Sequence, residues 1–176
     1  MVRREGLGNP LHAGQELVCG VPTDTDWALP MDQIPRYEAT VTLRVVEGYQ
    51  AAEFSAESRG LFYRSAFQVS PRSDRMGYRL EGNAVAAPAG ERFSEGIAYG
   101  AVQVPPDGQP IVLLNDRQTI GGYPKLGTVL SLDCWKLAQC VPGAKVCFEV
   151  ISLEAAQAAV EESAAAREAT ALKRSA

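Results

Sequence analysis

Hydrophobic and polar residues alternate along much of the chain with the two-residue period of β-strands. Residues 38–46 place Val and Leu between Thr and Arg, which predicts a half-buried strand. Residues 98–104 and 111–114 are mostly apolar, and the Pro-Pro-Asp-Gly turn at 105–108 predicts a hairpin that enters the core. The remaining predicted strands are 15–19, 60–70, 76–80 and 145–151. So many short strands predict a mostly β fold.

Helical patterns are few. A short helical turn is predicted around residues 51–54, and a helix is predicted at 132–139 with Ser131 as its N-cap. A last helix is predicted from its N-cap Ser152 to about Leu172, where alanine propensity supports it although its apolar stripe is thin. Many strands with one or two peripheral helices predict a closed or nearly closed barrel.

The length of 176 residues favours one domain with a real core. Residues 1–14 are expected to be a linker-like lead-in, residues 15–152 the barrel subdomain, and residues 153–176 a C-terminal helix with a frayed tail. Because the segment after Ala165 has little to bury, it is expected to fray or to pack on another chain, so self-association is a further expectation.

Composition narrows the possible functions. A net charge of −4 without a basic stripe argues against a nucleic-acid partner. No apolar run approaches the roughly 20 residues that span a bilayer, and the start of the chain lacks the apolar stretch of a secretory signal. The 4 cysteines show no Cys-x-x-Cys spacing and there is 1 histidine, so we expect free thiols, a cytoplasmic location and no metal site.

Candidate chemistry lies directly after the buried strand at 111–114. The next residues combine both charges with several hydrogen-bonding groups, and the pair Gly121-Gly122 lets a ligand approach backbone amides. Side chains that leave a strand end are well positioned for binding. The alternative is an ordinary solvated turn. The density of functional groups favours a site made of Asp116, Arg117, Gln118, Tyr123 and Lys125.

Two segments carry a family resemblance: Ser-Asp-Arg-Met-Gly-Tyr-Arg-Leu-Glu-Gly at 73–82, and the stretch 94–125 from Ser-Glu-Gly to Gly-Gly-Tyr-Pro-Lys. Together they resemble the biotin-dependent carboxyltransferase family, which includes the C-type subunit of 5-oxoprolinase, allophanate hydrolase subunit 2 and the carboxyltransferase part of urea carboxylase. The resemblance runs from about Gly6 to Val150 and is expected to cover only the second half of the family's usual length. It implies a cyclophilin-like β-barrel.

The resemblance also implies a reaction. Family members move a carboxyl group from carboxybiotin to an amide- or urea-type nitrogen, or take part in the ATP-dependent opening of 5-oxoproline. It implies that carboxybiotin comes from a partner, that ATP is used by the complex without binding this chain, and that the substrate is a small amide. The expected partner is a companion carboxyltransferase subunit or the first half of the family's length, without which the chain is expected to be incomplete.

Such chemistry needs cations for a carboxylate and an acid or base for a proton on nitrogen. Arg117 and Lys125 are the candidate anion contacts, and Asp116 is the candidate base or orienting carboxylate. For Arg75 the alternative is a structural ion pair with Glu81 across a strand. The candidate substrate-binding residues are Gln118, Tyr123, Gly121, Gly122, Arg75, Tyr78 and Glu95.

Two other functions remain open. One relative is the antagonist of a sporulation-kinase inhibitor, so the chain is alternatively a regulatory module that binds a companion subunit without catalysis. A third hypothesis is a prolyl-isomerase-like peptide binder, which rests on the analogy of the barrel with cyclophilin alone.

Overall fold

The computed structural model describes residues 13, 14, 16, 38–90 and 93–172. All the elements below lie in the compact unit Arg36–Ala176. The lead-in predicted at 1–14 and the strand predicted at 15–19 lie outside the described residues, apart from those three positions.

Nine strands and three α-helices make up this part of the chain. The strands are β1 (Thr40–Glu47), β2 (Phe67–Val69), β3 (Gly77–Glu81), β4 (Glu95–Gly96), β5 (Ala101–Gln103), β6 (Ile111–Leu113), β7 (Ile120–Gly121), β8 (Lys125–Val129) and β9 (Lys145–Val150). The helices are α1 (Ala56–Arg64), α2 (Ser131–Ala138) and α3 (Leu153–Leu172), and a 3-10 helix covers Tyr49–Glu53.

Seven of these strands close into a barrel in the order β1-β8-β5-β6-β3-β2-β9. Strand β9 closes it, pairing in parallel with β1 over Thr40–Val45 and antiparallel with β2. The other two strands, β4 and β7, form a separate antiparallel ribbon. The mostly β barrel with peripheral helices that the sequence predicts is therefore confirmed.

The barrel encloses one hydrophobic core. Leu43, Val45 and Leu126 point into it from the strands and have no exposed surface. Helix α1 adds Phe62, whose ring stacks on Phe148 with centroids 4.4 Å apart. Burial of large apolar side chains at this density is the main stabilisation of the fold.

Helix α1 corrects the strand predicted at 60–70. Ser55 caps the helix, since its Oγ accepts a hydrogen bond from the Ser58 amide at 3.0 Å. Ser58 and Phe62, four residues apart, then face the core together, which is the period of a helix. Only β2 at the end of the segment is extended.

Helix α2 corrects a second prediction. Leu130 precedes the helix and no side chain caps it, so Ser131 is its first residue and not its N-cap. Asp133 instead turns inward and accepts hydrogen bonds from the Arg44 backbone amide at 3.0 Å and from Arg44 Nε at 2.7 Å. This buried ion pair fixes α2 against β1.

Other local predictions are confirmed. Strands β5 and β6 form the expected hairpin, and all their residues are buried. Ser152 caps α3, because its Oγ accepts from the Ala155 amide at 3.1 Å. Among the described helices, none is long and apolar enough to cross a membrane.

Candidate functional site

The β4–β7 ribbon covers the outer face of the barrel. Along β5 the side chains alternate: Val102 and Val104 belong to the barrel core, so Ala101 and Gln103 point outward. Ala101 packs with Ile97 of the ribbon segment in a second apolar cluster, together with Ile111 and Leu113 of β6. The candidate site lies in this outer layer.

Lys125 is the centre of the polar contacts beneath the ribbon. Its Nζ lies 3.1 Å from Glu95 Oε1 and donates a hydrogen bond to the Gly96 carbonyl at 3.1 Å. Only 15% of its side chain is exposed. The cation is therefore held in a fixed position between the barrel and the ribbon.

The 3-10 helix supplies two further members of this group. Tyr49 Oη and Gln50 Nε2 both donate to the Glu95 carboxylate, and Gln50 Oε1 accepts from the Lys125 backbone amide at 2.7 Å. Gln50 is buried. We call Tyr49, Gln50, Glu95 and Lys125 the Glu95–Lys125 cluster. It borders a cavity of about 170 Å³ that also includes Ala101 and Thr128 in its walls.

The electrostatics of the cluster assign a protonation state to two groups. Hydrogen bonds from Tyr49 and then Lys125 lower the pKa of Glu95 below its ordinary value. The same contact with Glu95 raises the pKa of the Tyr49 phenol. At neutral pH Glu95 is thus a carboxylate that accepts hydrogen bonds, and Tyr49 is a phenol that donates one.

Asp116 lies outside this cluster. It forms a bidentate pair with Arg75, in which Nε is 3.1 Å from Oδ2 and Nη2 is 3.3 Å from Oδ1. The Arg75 side chain is 84% exposed, so the pair is a surface ion pair that links the ends of β3 and β6. The alternative ion pair between Arg75 and Glu81 is wrong, because Glu81 pairs with Arg72 at 3.6 Å.

Arg117 anchors the ribbon. Its Nε donates to the Ile97 carbonyl at 3.1 Å and its Nη1 donates to the Leu114 carbonyl at 3.2 Å. The guanidinium also lies 5.8 Å from the centre of the Tyr99 ring. These contacts join the end of β6 to the segment after β4.

The other predicted residues are dispersed. Tyr78 Oη donates to the Ala138 carbonyl at 3.1 Å and so ties β3 to the end of α2. Gln118 is exposed. Gly122 and Tyr123 line a different groove, together with the 86–90 loop. Gly121 is part of the ribbon itself, paired with Glu95.

The structure thus brings Lys125 together with Glu95 and Gly121, but it places Asp116 with Arg75. Sequence reasoning missed Tyr49 and Gln50. Their signal was the one used for residues 115–118, because these polar side chains also follow directly on a strand end, that of β1.

An ammonium group, a carboxylate and a phenol around one small cavity can bind a carboxylate or an amide. Within the described ranges, no group of three or more His, Cys, Asp or Glu residues could hold a metal ion.

Comparison with known proteins agrees with this interpretation of the chain. The family model "Carboxyltransferase domain, subdomain A and B" matches residues 2–150. The chain is 44% identical over 115 residues to the C-type subunit of 5-oxoprolinase from Escherichia coli, and 40% identical over 133 residues to that of Haemophilus influenzae. These matches cover 65% and 71% of this chain.

The fold has a counterpart among solved structures. The crystal structure of Kluyveromyces lactis urea carboxylase matches 73% of this chain and 12% of its own chain, with a TM-score of 0.65 at 22% identity. At that identity the likeness concerns the fold alone.

The match covers only part of each relative. It spans 37% of the Escherichia coli protein and 43% of the Haemophilus influenzae protein. With a family model that covers most of its length and two curated relatives at 40% identity or more, the chain belongs to the carboxyltransferase domain family, subdomains A and B.

Proposed function

We propose that this chain is a component of a multi-subunit 5-oxoprolinase that opens the lactam of 5-oxoproline at the expense of ATP. The observation that carries the proposal is the Glu95–Lys125 cluster, a fixed cation beside a carboxylate and a phenol in a chain whose curated relatives are named as 5-oxoprolinase subunits. The related reaction, transfer of a carboxyl group from carboxybiotin to a urea-type nitrogen, uses the same chemical groups.

The cluster suits both ends of 5-oxoproline. Lys125 has a third N–H beyond those directed at Glu95 and the Gly96 carbonyl, and this N–H binds the carboxylate of the substrate. Glu95, ionised at neutral pH, accepts the lactam N–H. When the C–N bond breaks, the nitrogen must gain a proton, and the Tyr49–Glu95 hydrogen bond is the place in this chain that holds one.

The remaining assignments stay predictions. Asp116 as a base has to act from its ion pair with Arg75. Arg117, as an anion contact, has to bind ligand while it holds two backbone carbonyls. We propose that Arg117 acts mainly by fixing the ribbon over Lys125, and that Gln118, Gly122 and Tyr123 serve at the rim.

The proposal assigns cofactors and partners to the complex. ATP is bound elsewhere in the assembly, and carboxybiotin, if the reaction is carboxyl transfer, comes from a partner. Because the chain matches about two fifths of its relatives' length, the partner is a companion subunit or the remainder of the family's length.

The test is reconstitution. The chain is co-expressed with the companion 5-oxoprolinase subunits, the complex is purified, and phosphate release from ATP is measured with 5-oxoproline and, separately, with urea and carboxybiotin. Turnover that depends on 5-oxoproline supports the proposal. Turnover only with urea assigns the chain to carboxyl transfer instead. A stable complex without turnover on either substrate contradicts both and supports a regulatory module.

A further inference from the structure

A buried amide beside the cluster has no partner. Gln103 is 1% exposed, yet its Nε2 makes no hydrogen bond within the described part of the chain. An unpaired buried donor destabilises a fold, so such a group requires an explanation. Two other buried atoms share this feature, in Arg59 and Tyr63, but both side chains lie beside the carboxylate of Glu47.

Gln103 belongs to the same outer layer as Lys125. The two residues are direct cross-strand partners on β5 and β8. Their side chains leave the barrel on the same face, because the neighbouring Val102 and Leu126 both point into the core. An uncharged donor therefore stands next to the fixed cation.

Gly121 of the ribbon closes the space in front of Gln103. A Cβ at this position would lie 3.2 Å from Gln103 Nε2 and 2.7 Å from Ile97 Cδ1. The ribbon therefore lies directly against the amide and shields it from solvent. It is a short cover, since each of its strands has two residues.

The contact that holds this cover is one that an anion can replace. Lys125 Nζ donates to the Gly96 carbonyl at the edge of the ribbon. A carboxylate is a stronger acceptor for an ammonium group than a backbone carbonyl. A ligand carboxylate that binds Lys125 therefore competes with Gly96 and loosens the ribbon over Gln103.

We propose that Gln103 is a substrate-binding residue whose Nε2 donates a hydrogen bond to the carbonyl oxygen of an amide ligand, once the carboxylate of that ligand has taken the place of Gly96 on Lys125. The ligand class is a lactam or other amide that carries a carboxylate. This inference rests on the proposed function and deepens it, because it assigns the carbonyl end of 5-oxoproline to a residue outside the Glu95–Lys125 cluster.

The test uses Gln103→Leu, which keeps most of the side-chain volume and removes the donor. The matched control is Gln157→Leu, the same substitution at an exposed position of α3. Two quantities are measured on the chain and its complex: the thermal unfolding midpoint, and the dissociation constant for 5-oxoproline by calorimetry. We expect Gln103→Leu to unfold at the same or a higher temperature and to bind 5-oxoproline about tenfold more weakly. The control should match the wild type in both.

The outcomes separate this inference from the proposed function. A lower unfolding midpoint for Gln103→Leu shows that the amide is structural and overturns the inference. Unchanged affinity overturns it too, while turnover by the wild-type complex leaves the proposed function intact. Absence of 5-oxoproline binding by both the wild-type chain and its complex overturns the inference directly. Weaker binding by the stable variant, even without turnover in the complex, supports the inference against the proposed reaction.

A second readout follows the ribbon. The Ile97 amide donates to the Thr119 carbonyl at 3.0 Å across the ribbon. Hydrogen exchange at Ile97 should become faster when 5-oxoproline binds, because Gly96 has lost its contact with Lys125. Slower exchange at this amide would show that the ligand closes the ribbon further and would contradict the proposed opening.

Discussion

The barrel and the β4–β7 ribbon are held together by different means. The barrel is a closed ladder, in which β1 alone pairs with β9 over the six positions Thr40–Val45, and it encloses a dry aromatic and aliphatic core. The ribbon has two paired positions, and single side chains hold it, chiefly Lys125 and Arg117. Stability therefore resides in the barrel, and the adaptable polar site resides in the ribbon layer.

The largest effect is expected inside the barrel. Phe62→Ala removes a ring that stacks on Phe148 at 4.4 Å, and it should lower the free energy of unfolding by about 3–5 kcal/mol. The matched change in the ribbon layer is Ile120→Ala, where the side chain is 60% exposed. That variant should stay within about 0.5 kcal/mol of the wild type in denaturant titrations. Equal losses in the two variants would contradict the division between barrel and ribbon.

The next effect concerns the ion pair that fixes α2 to the barrel. Asp133 has no exposed side-chain surface, whereas Arg44 is 33% exposed. Asp133→Asn should therefore cost about 2 kcal/mol, less than a fully buried pair would. Burial alone would raise the pKa of Asp133, but hydrogen bonds from Arg44 and Lys136 hold it below the ordinary value.

This pKa sets the direction of a pH dependence. A carboxyl group with a lowered pKa stabilises the fold above its unfolded pKa, near 3.8, and that contribution disappears as the pH falls through the folded value. Unfolding midpoints of the wild type should fall between about pH 4 and pH 2 more steeply than those of Asp133→Asn. Parallel curves would show that the carboxylate contributes nothing to stability.

A smaller effect on stability, confined to the ribbon, is expected at Arg117. Arg117→Gln removes the guanidinium that holds the Ile97 carbonyl. Global stability should change by less than about 1 kcal/mol, while hydrogen exchange at Ile97 should become clearly faster. Arg79→Gln, at an exposed position of β3, is the control and should leave this exchange rate unchanged. A uniform increase of exchange across the barrel would show that the ribbon is part of the cooperative core.

The smallest effect is expected at the surface pair of Arg75 and Asp116. Both side chains are largely exposed, so Arg75→Ala should change the free energy of unfolding by about 0.5 kcal/mol or less, and added salt should remove the difference. A loss above about 2 kcal/mol that persists in high salt would show that this pair belongs to the core architecture.

The barrel could be predicted from the sequence because its pattern is local. The alternation at 38–46 and the apolar run before and after Pro105-Pro106 report burial directly. The strand predicted at 60–64 is wrong, because the aromatic residues there favour a strand while the Ser55 cap that starts α1 lies several residues earlier. Tertiary packing of Phe62 then determines the helix.

The site was only half predictable. The density of polar residues after β6 indicated the correct region, and Lys125 and Glu95 do meet there. The sequence could not show that Asp116 turns to Arg75, or that Tyr49 and Gln50 reach Glu95 from 46 and 45 positions away. Gln103 carried no sequence signal as a ligand-binding residue, since a single amide in a buried strand has no distinctive pattern.

The central claim, that the cation beneath the ribbon binds substrate, is tested most directly at Lys125. Lys125→Met and Lys145→Met remove the same charge, the first at the Glu95–Lys125 cluster and the second at an exposed position of β9. In the reconstituted complex we expect Lys125→Met to lower 5-oxoproline turnover by at least about a hundredfold, with an unfolding midpoint close to that of the wild type. Turnover equal to that of the Lys145→Met complex would contradict the assignment.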